Sequence, residues 1–209
     1  MFPIFAPVMR GRDLNKERLV RDTAIQMLVE QGLQGFSMNK LAGACNISVA
    51  TLYIYYKDKD DLIRKLGDDV GSRHMDALLS GFSPEMRFRE GIRKQWENRS
   101  QFYLKYPLEA MCAEIIRHSP YGECMDKKKL RVFKDAMSAF VQNAIDRGEL
   151  KPMPVEAFWS IVYGPLYTLL RFHSQGSSLG GRKFVFTKEL MLQTLEMVLD
   201  ALSPSVSKK

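Results

Sequence analysis

The chain has 209 residues, of which 45% are hydrophobic and 26% are charged, and its formal net charge at pH 7 is +7. This apolar content is enough for a hydrophobic core, and no run approaches the ~20 apolar residues of a transmembrane helix, so we expect no membrane partner. A positive balance of this size favours a polyanionic partner only modestly.

Strand signals are nearly absent, whereas helix-length segments separated by Pro and Gly fill the chain. We therefore predict an all-α fold of about nine helices. The first helix is predicted from Leu14 to Gln31, with Gly32 ending it. Its inner side is expected to consist of Leu19, Ala24, Met27 and Leu28.

Two short helices joined by a tight turn are predicted next. Ser37 and Ser48 are good N-caps, because a serine hydroxyl accepts a hydrogen bond from an otherwise unpaired backbone N–H of the first turn. Asn46, between them, tolerates a left-handed backbone. The first short helix has an apolar face made of Met38, Leu41, Ala42 and Cys45. The second is predicted over Val49–Tyr55, with Leu52 facing inward.

A helix pair of this kind places one helix end in the major groove of DNA. Small Ala50 allows a close approach, and the Thr51 hydroxyl and the Tyr53 phenol suit phosphate oxygens. Lys57 and Lys59 follow, where cations would meet the phosphate backbone. The predicted DNA-contacting residues are Ser37, Asn39, Ser48, Val49, Ala50, Thr51, Tyr53, Tyr55, Lys57 and Lys59. The alternative is a compact helical corner without a nucleic-acid partner.

Basic residues also crowd the start of the first helix, and these are Arg10, Arg12, Lys16, Arg18 and Arg21. Such an arm can follow the DNA backbone or enter the minor groove. A solvated basic tail explains the same pattern equally well.

Six further helices are predicted beyond the motif. Asp58 is expected to cap a long connecting helix whose first turn is acidic, and Ser83-Pro84 is expected to start the next helix. The predicted spans are 59–79, 83–105, 107–118, 121–147, 155–173 and 187–202, with a flexible link at 176–181.

The middle helices carry large, adaptable side chains that suit an apolar ligand pocket. The candidate effector-binding residues are Trp96, Tyr103, Met111, Ile115, Phe133, Met137, Phe140, Phe158, Tyr163 and Tyr167. Ordinary core packing is the competing interpretation for each of them.

The last two helices are too apolar to leave a water-facing side. A symmetric dimer that packs them against their copies would bury this surface, with Gly164 permitting close approach and Pro165 bending the helix. An ordinary buried core helix is the alternative.

The motif resembles the TetR family of bacterial transcriptional repressors between Glu17 and Leu66. The residues that carry the resemblance are Gly32, Gly35-Phe36, Ser37, Leu41-Ala42, Ile47-Ser48, Leu52-Tyr53-Ile54-Tyr55-Tyr56, Lys59 and Leu62. Tyr56, where the family more often has Phe, and Asn46, in place of a Gly, are mild departures. The resemblance implies a homodimer that reads DNA with residues 1–66. It also implies that residues 67–209 form a helical domain that dimerises and binds a small molecule. The Met and aromatic side chains of the middle helices, rather than the resemblance, suggest an apolar or aromatic effector.

An enzyme would need catalytic groups that the sequence does not bring together. The three histidines are far apart, and Glu114 with His118 could share a metal only with a third ligand that is not evident. Cys45, Cys112 and Cys124 match no zinc or redox spacing, so we expect reduced thiols, a cytoplasmic protein, and neither a metal nor a cofactor. The open alternative is a helical effector-binding or enzymatic protein whose helix pair no longer binds DNA.

Overall fold

The computed structural model describes residues 14–124 and 127–204. Within these ranges the chain forms nine α-helices and two short 3₁₀ turns, at Gly122–Cys124 and Leu179–Gly181. The helices are α1 (Leu14–Gly35), α2 (Met38–Ala44), α3 (Val49–Tyr55), α4 (Lys59–Leu79), α5 (Phe88–Lys105), α6 (Pro107–Arg117), α7 (Lys127–Asp146), α8 (Val155–Gln175) and α9 (Lys188–Leu202). The described ranges contain no β-strand, and the prediction of an all-α fold with nine helices is confirmed.

The first helix differs from its prediction at two points. Gly32 adopts a φ of 65°, as a helix-ending glycine does, but the chain resumes a helical turn beyond this kink and ends at Gly35. Leu19, expected on the inner side, is exposed, and Val20 is fully buried instead. The apolar face of α1 is therefore rotated by one residue at its start.

Two predicted helix starts are also wrong. Residues 83–86 form a turn, because the Ser83 hydroxyl accepts a hydrogen bond from the Glu85 N–H and the Ser83 carbonyl accepts one from Met86. The helix after it therefore begins at Phe88. Tyr121 lies outside α7, because its hydroxyl donates to Asp60 at 2.6 Å and so fastens the preceding loop to α4.

The described residues form two apolar cores. The first core lies among α1, α2, α3 and the first half of α4, and it also includes Cys112, Ala113 and Ile116 of α6. The second core lies among the end of α4 and helices α5, α7, α8 and α9. Because α4 has buried residues in both cores, it is the element that joins them.

Helix α6 packs tightly on α4 near the expected domain boundary. A Cβ atom at Gly67 would lie 3.1 Å from Cγ2 of Ile116, so this glycine permits the close approach of the two helices. The division at residue 66 falls inside α4, and it stays a prediction. No helix in the described part of the chain is long and apolar enough to cross a membrane.

Candidate nucleic-acid interface

Local hydrogen bonds fix the geometry of α2, the turn and α3, which together we call the helix-turn-helix unit. The Ser37 hydroxyl accepts from the Lys40 N–H at 3.3 Å, and the Ser48 hydroxyl accepts from the Thr51 N–H at 3.1 Å. Asn46 has a φ of 51°, as expected of a residue that tolerates the left-handed region. Both predicted N-caps and the predicted turn residue are therefore confirmed.

The orientation of α3 is set by its buried face. Leu52 is fully buried and Tyr55 is 8% exposed, and both pack in the first core. Val49 is half-buried and packs against the same core. These three residues recur at a spacing of three, so they share one face of the helix. The prediction that Tyr55 faces outward is therefore wrong, because its ring is needed to fill this core.

The outer side of the unit presents a compact set of exposed side chains. Tyr53 is 53% exposed and Ile54 is 76% exposed. The predicted residues Asn39, Ser48, Ala50 and Lys57 are also exposed, whereas Ser37 and Thr51 are half-buried. The Thr51 hydroxyl is also hydrogen-bonded to the Ser48 hydroxyl, at 2.8 Å. Five of the ten predicted residues are therefore exposed at or beside the helix-turn-helix unit, and these are Asn39, Ser48, Ala50, Tyr53 and Lys57.

Lys59 has a different environment from the one its sequence position suggested. Its ammonium group donates to the backbone carbonyls of Leu33 at 2.8 Å and Phe36 at 3.0 Å. The Leu33 carbonyl lies in the last turn of α1, where helix carbonyls lack intrahelical partners, and Phe36 lies between α1 and α2. Lys59 therefore holds α4 against the end of α1, and its charge is not directed outward as predicted.

Sequence reasoning missed two exposed residues of the helix-turn-helix unit. Ile54 lies four residues after Ala50, and this spacing on a helix was a usable signal that both share the outer face. Lys40 follows Asn39 on the exposed side of α2, with its ammonium 2.9 Å from the Gly35 carbonyl. Ile54 therefore adds an apolar group to the outer face of α3, and Lys40 adds a cation to the exposed side of α2. Of the basic arm, Arg10 and Arg12 lie outside the described residues.

An ionic network at the junction of α1, α4 and α6 was also missed. Arg21 of α1 donates from Nε to Asp69 of α4 at 2.5 Å, and its Nη2 lies 3.4 Å from Glu109 of α6. Glu109 accepts a further bond from Arg73 of α4 at 2.8 Å. The pKa of Arg21 is raised. Burial lowers this pKa, but the hydrogen bond with Asp69 and the charges of Asp69 and Glu109 raise it by more. The network therefore ties the helix-turn-helix end of the molecule to α6.

The predicted effector-binding residues separate into two groups. Trp96, Phe133, Met137, Phe140, Phe158 and Tyr163 are buried together in the second core, and Tyr103 packs against them. Met111 and Ile115 are half-buried on α6, whose buried residues belong to the first core, and Tyr167 is exposed on the outside of α8. The second core therefore includes neither Met111 nor Ile115, which share one face of α6, and Tyr167 lies one helical turn after Tyr163 with its side chain exposed.

The Glu114–His118 pair is a surface pair. The two side chains lie 3.0 Å apart and both are exposed. Among the residues that the structure describes, no group of three or more His, Cys, Asp or Glu side chains is placed to hold a metal ion.

Residues 20–66 match the family model described as bacterial regulatory proteins, tetR family. An uncharacterised HTH-type transcriptional regulator of Haemophilus influenzae is 33% identical over 82 residues, which cover 39% of this chain and 44% of that protein. The tetracycline repressor protein class D of Escherichia coli is 36% identical over 66 residues, which cover 32% and 30% of the two chains. The matches to these relatives thus span less than half of their lengths.

Similarity to solved structures extends over nearly the whole chain. A TetR family transcription regulator from Marinobacter aquaeolei superposes with a TM-score of 0.71 and 29% identity, covering 93% of this chain and 99% of that one. A putative TetR family regulator from Vibrio parahaemolyticus, at 22% identity, shares the fold with a TM-score of 0.69 over 90% and 99% of the two chains. The N-terminal sequence match and the near-full-length structural match agree: residues 20–66 match the tetR family model, and the relatives and solved structures that this chain resembles are transcriptional regulators of that family.

Proposed function

We propose that the protein is a homodimeric transcriptional repressor that binds a near-palindromic operator and is released from it by a small-molecule effector. The observation that carries the proposal is the outer surface of the helix-turn-helix unit, which combines an apolar helix face with exposed polar and basic groups. A regulator of transcription acts at the DNA, so we expect the protein in the cytoplasm.

Direct reading of the operator is assigned to α3. Ala50 and Ile54 lie on its outer face, where apolar groups can contact the methyl groups of thymine in the major groove. Tyr53, beside them, has its phenol available to a phosphate oxygen. Lys40 and Lys57 stand at the margins of this surface and would neutralise phosphates. Lys59 and Tyr55 then act by holding α3 in place.

Dimerisation is assigned to the outer faces of α8 and α9. Ile161 and Tyr167 of α8 are exposed, and Met197 of α9 is 74% exposed, although each is a large apolar side chain. A Cβ atom at Gly164 would meet nothing within 4 Å, so this part of α8 is open to a partner. An isologous contact between two copies of α8 and α9 would bury these side chains in a four-helix bundle.

Release by an effector requires a path from the second core to α3. The end of α4 and helix α5 border that core, and α6 follows α5 after a single residue. Glu109 of α6 is bonded to α4 and lies beside Arg21 of α1, so a shift of α6 would act on the helix-turn-helix end. An effector changes operator affinity only by the difference in its affinity for the two states.

The test is selection of bound duplexes from a random DNA pool by the purified protein at moderate salt. Enrichment of an inverted repeat with half-sites about one turn apart, roughly 34–36 Å, or a multiple of it, is expected of a dimeric reader. The Lys57→Ala variant should weaken binding to all sequences alike, whereas Ile54→Ala should change the enriched sequence. Lys188→Ala, which removes the same charge at the exposed start of α9, is the matched control. A folded dimer that enriches no sequence would refute the proposal.

A further inference from the structure

A cationic side chain lies within the second core without an anionic partner. Arg99 of α5 is 2% exposed, and its Nη1 donates to the carbonyl and side-chain oxygens of Gln95, one helical turn earlier. Its Nε is buried and donates no hydrogen bond within the described ranges. Among the described residues, no carboxylate forms an ion pair with it. A permanent charge in this position lacks the compensation that buried charges ordinarily have.

Aromatic rings enclose the guanidinium. Its carbon lies 3.9 Å from the ring centre of Tyr163 and 5.8 Å from the rings of Phe133 and Trp159. Cation–π attraction stabilises the charge but satisfies no N–H donor. Three of the four residues are buried, and Trp159 is half-buried, so its ring is the part of this cage that reaches the surface.

A second polar group in the cage also lacks a partner. Tyr163 is 1% exposed, and its hydroxyl is buried with no hydrogen bond to the described residues. Burial raises the pKa of Tyr163 to about 12, although the charge of Arg99 opposes the rise. The hydroxyl is thus protonated at neutral pH and can donate to an anion. Two unsatisfied donors of this kind in one place are uncommon in folded proteins and call for a ligand or another explanation.

The neighbouring histidine does not supply a competing charge. His74 of α4 stacks on Phe102 with 4.7 Å between ring centres. Burial, and then the charges of Arg99 and Arg117, lower the pKa of His74 to about 4, so it is neutral at physiological pH. The charges of Arg99 and Arg117 both act on this residue of α4, and the carboxylate of Glu114 opposes them. Of the two arginines, Arg99 is the buried one.

We propose that the effector is an apolar or aromatic carboxylic acid whose carboxylate accepts hydrogen bonds from Arg99 and Tyr163. Its hydrocarbon part would lie against the rings of Phe133 and Trp159 and the adaptable side chain of Met137. The inference rests on the proposed function, because it names the ligand class of the effector-binding domain. The known chemistry of arginine supports the choice, since its planar fork matches a carboxylate.

The test compares acids with alcohols of the same skeleton. Octanoate and 4-phenylbutyrate are titrated against octanol and 4-phenylbutanol at constant pH and ionic strength. Fluorescence of the two tryptophans, Trp96 and Trp159, and the thermal midpoint report binding. We expect at least one acid to bind ten-fold or more tightly than its alcohol. Equal affinity for acid and alcohol, or binding of neither acid, would overturn the proposal.

Variants then locate the site. Arg99→Gln should abolish the preference for the acid while keeping the fold, because it removes an uncompensated buried charge. Tyr163→Phe should weaken the acid several-fold and leave the alcohol unchanged. Arg93→Gln removes a charge from the exposed side of the same helix and is the matched control. An acid preference that survives in Arg99→Gln would overturn the assignment. Operator selection is measured separately, so a DNA-binding protein that ignores acids refutes only this inference.

Discussion

The contrast between Lys57 and Lys59 gives the sharpest test of the candidate interface. Both lysines follow α3, but Lys57 is exposed, whereas the ammonium of Lys59 donates to the carbonyls of Leu33 and Phe36. Replacing Lys59 with methionine keeps the unbranched stem of the side chain, removes its ammonium group and leaves two carbonyls without a charged donor. We therefore expect the substitution to act on stability, and the same change at Lys57 to act on DNA binding.

The expected magnitude follows from the two hydrogen bonds. One hydrogen bond to a charged group contributes about 1.5–3 kcal/mol when buried. Lys59 makes two such bonds, but its half-buried position reduces the contribution of each. Lys59→Met should therefore lower the free energy of unfolding by about 1–3 kcal/mol. For a chain of this size the thermal midpoint would fall by roughly 2–4 °C per kcal/mol. Lys57→Met should change stability by less than about 0.5 kcal/mol, as surface substitutions do.

Urea unfolding followed by circular dichroism measures the stability difference. Fluorescence anisotropy of a labelled operator at several salt concentrations measures the number of phosphate contacts. Lys57→Met should reduce the slope of log affinity against log salt by about 1. If Lys59→Met is instead as stable as the wild type and its own salt slope falls by one contact, the position assigned to Lys59 is wrong.

Three further variants and one control substitution test the packing, the dimer and the junction. Gly91→Ala would place a methyl group into the ring of Phe140 and should lower the free energy of unfolding by about 1–3 kcal/mol. Gly43→Ala is the control, because its Cβ meets nothing within 4 Å, and it should raise the free energy of unfolding by about 0.5–1 kcal/mol. Urea unfolding measures both changes. Met197→Glu should weaken the proposed dimer about a hundredfold, as light scattering at decreasing concentration would show, and an unchanged dimer would exclude that face. Glu109→Gln removes the carboxylate shared by α1 and α4 and should lower the free energy of unfolding by about 1–2 kcal/mol. An unchanged free energy in urea unfolding would mean that the ionic network does not hold these helices together.

The helix-turn-helix unit was predictable because its structure is locally determined. Ser37, Ser48 and Asp58 each satisfy a backbone N–H three residues ahead, so the sequence alone indicates where α2, α3 and α4 begin. The predicted starts of the spans 49–55 and 59–79 agree with α3 and α4 for the same reason. Ser83-Pro84 carries a similar signal, but the tertiary position of Phe88, whose N–H donates to Glu149, delays the helix start.

The direction of individual side chains was less predictable because it depends on packing between helices. Tyr55 was predicted to contact DNA, although its spacing of three from Leu52 indicated the buried face. Arg99 offered a comparable signal, since it lies seven residues after Ile92 and three after Trp96, on the apolar side of α5. The destination of the Lys59 ammonium could not be predicted, because its acceptors lie 26 and 23 residues away in sequence.

The placement of α6 determines how the two cores can influence each other. Ile116 is fully buried in the first core against Gly67 of α4, and Glu109 is bonded to α4 and lies beside α1. A displacement of α6 must therefore break these contacts or carry α1 and α4 with it. The bonds that cap α2 and α3 are short-range and involve no residue of α6, so we expect them to persist. Operator-bound and effector-bound dimers should then share the geometry of each helix-turn-helix unit and differ in the distance between the two copies of α3.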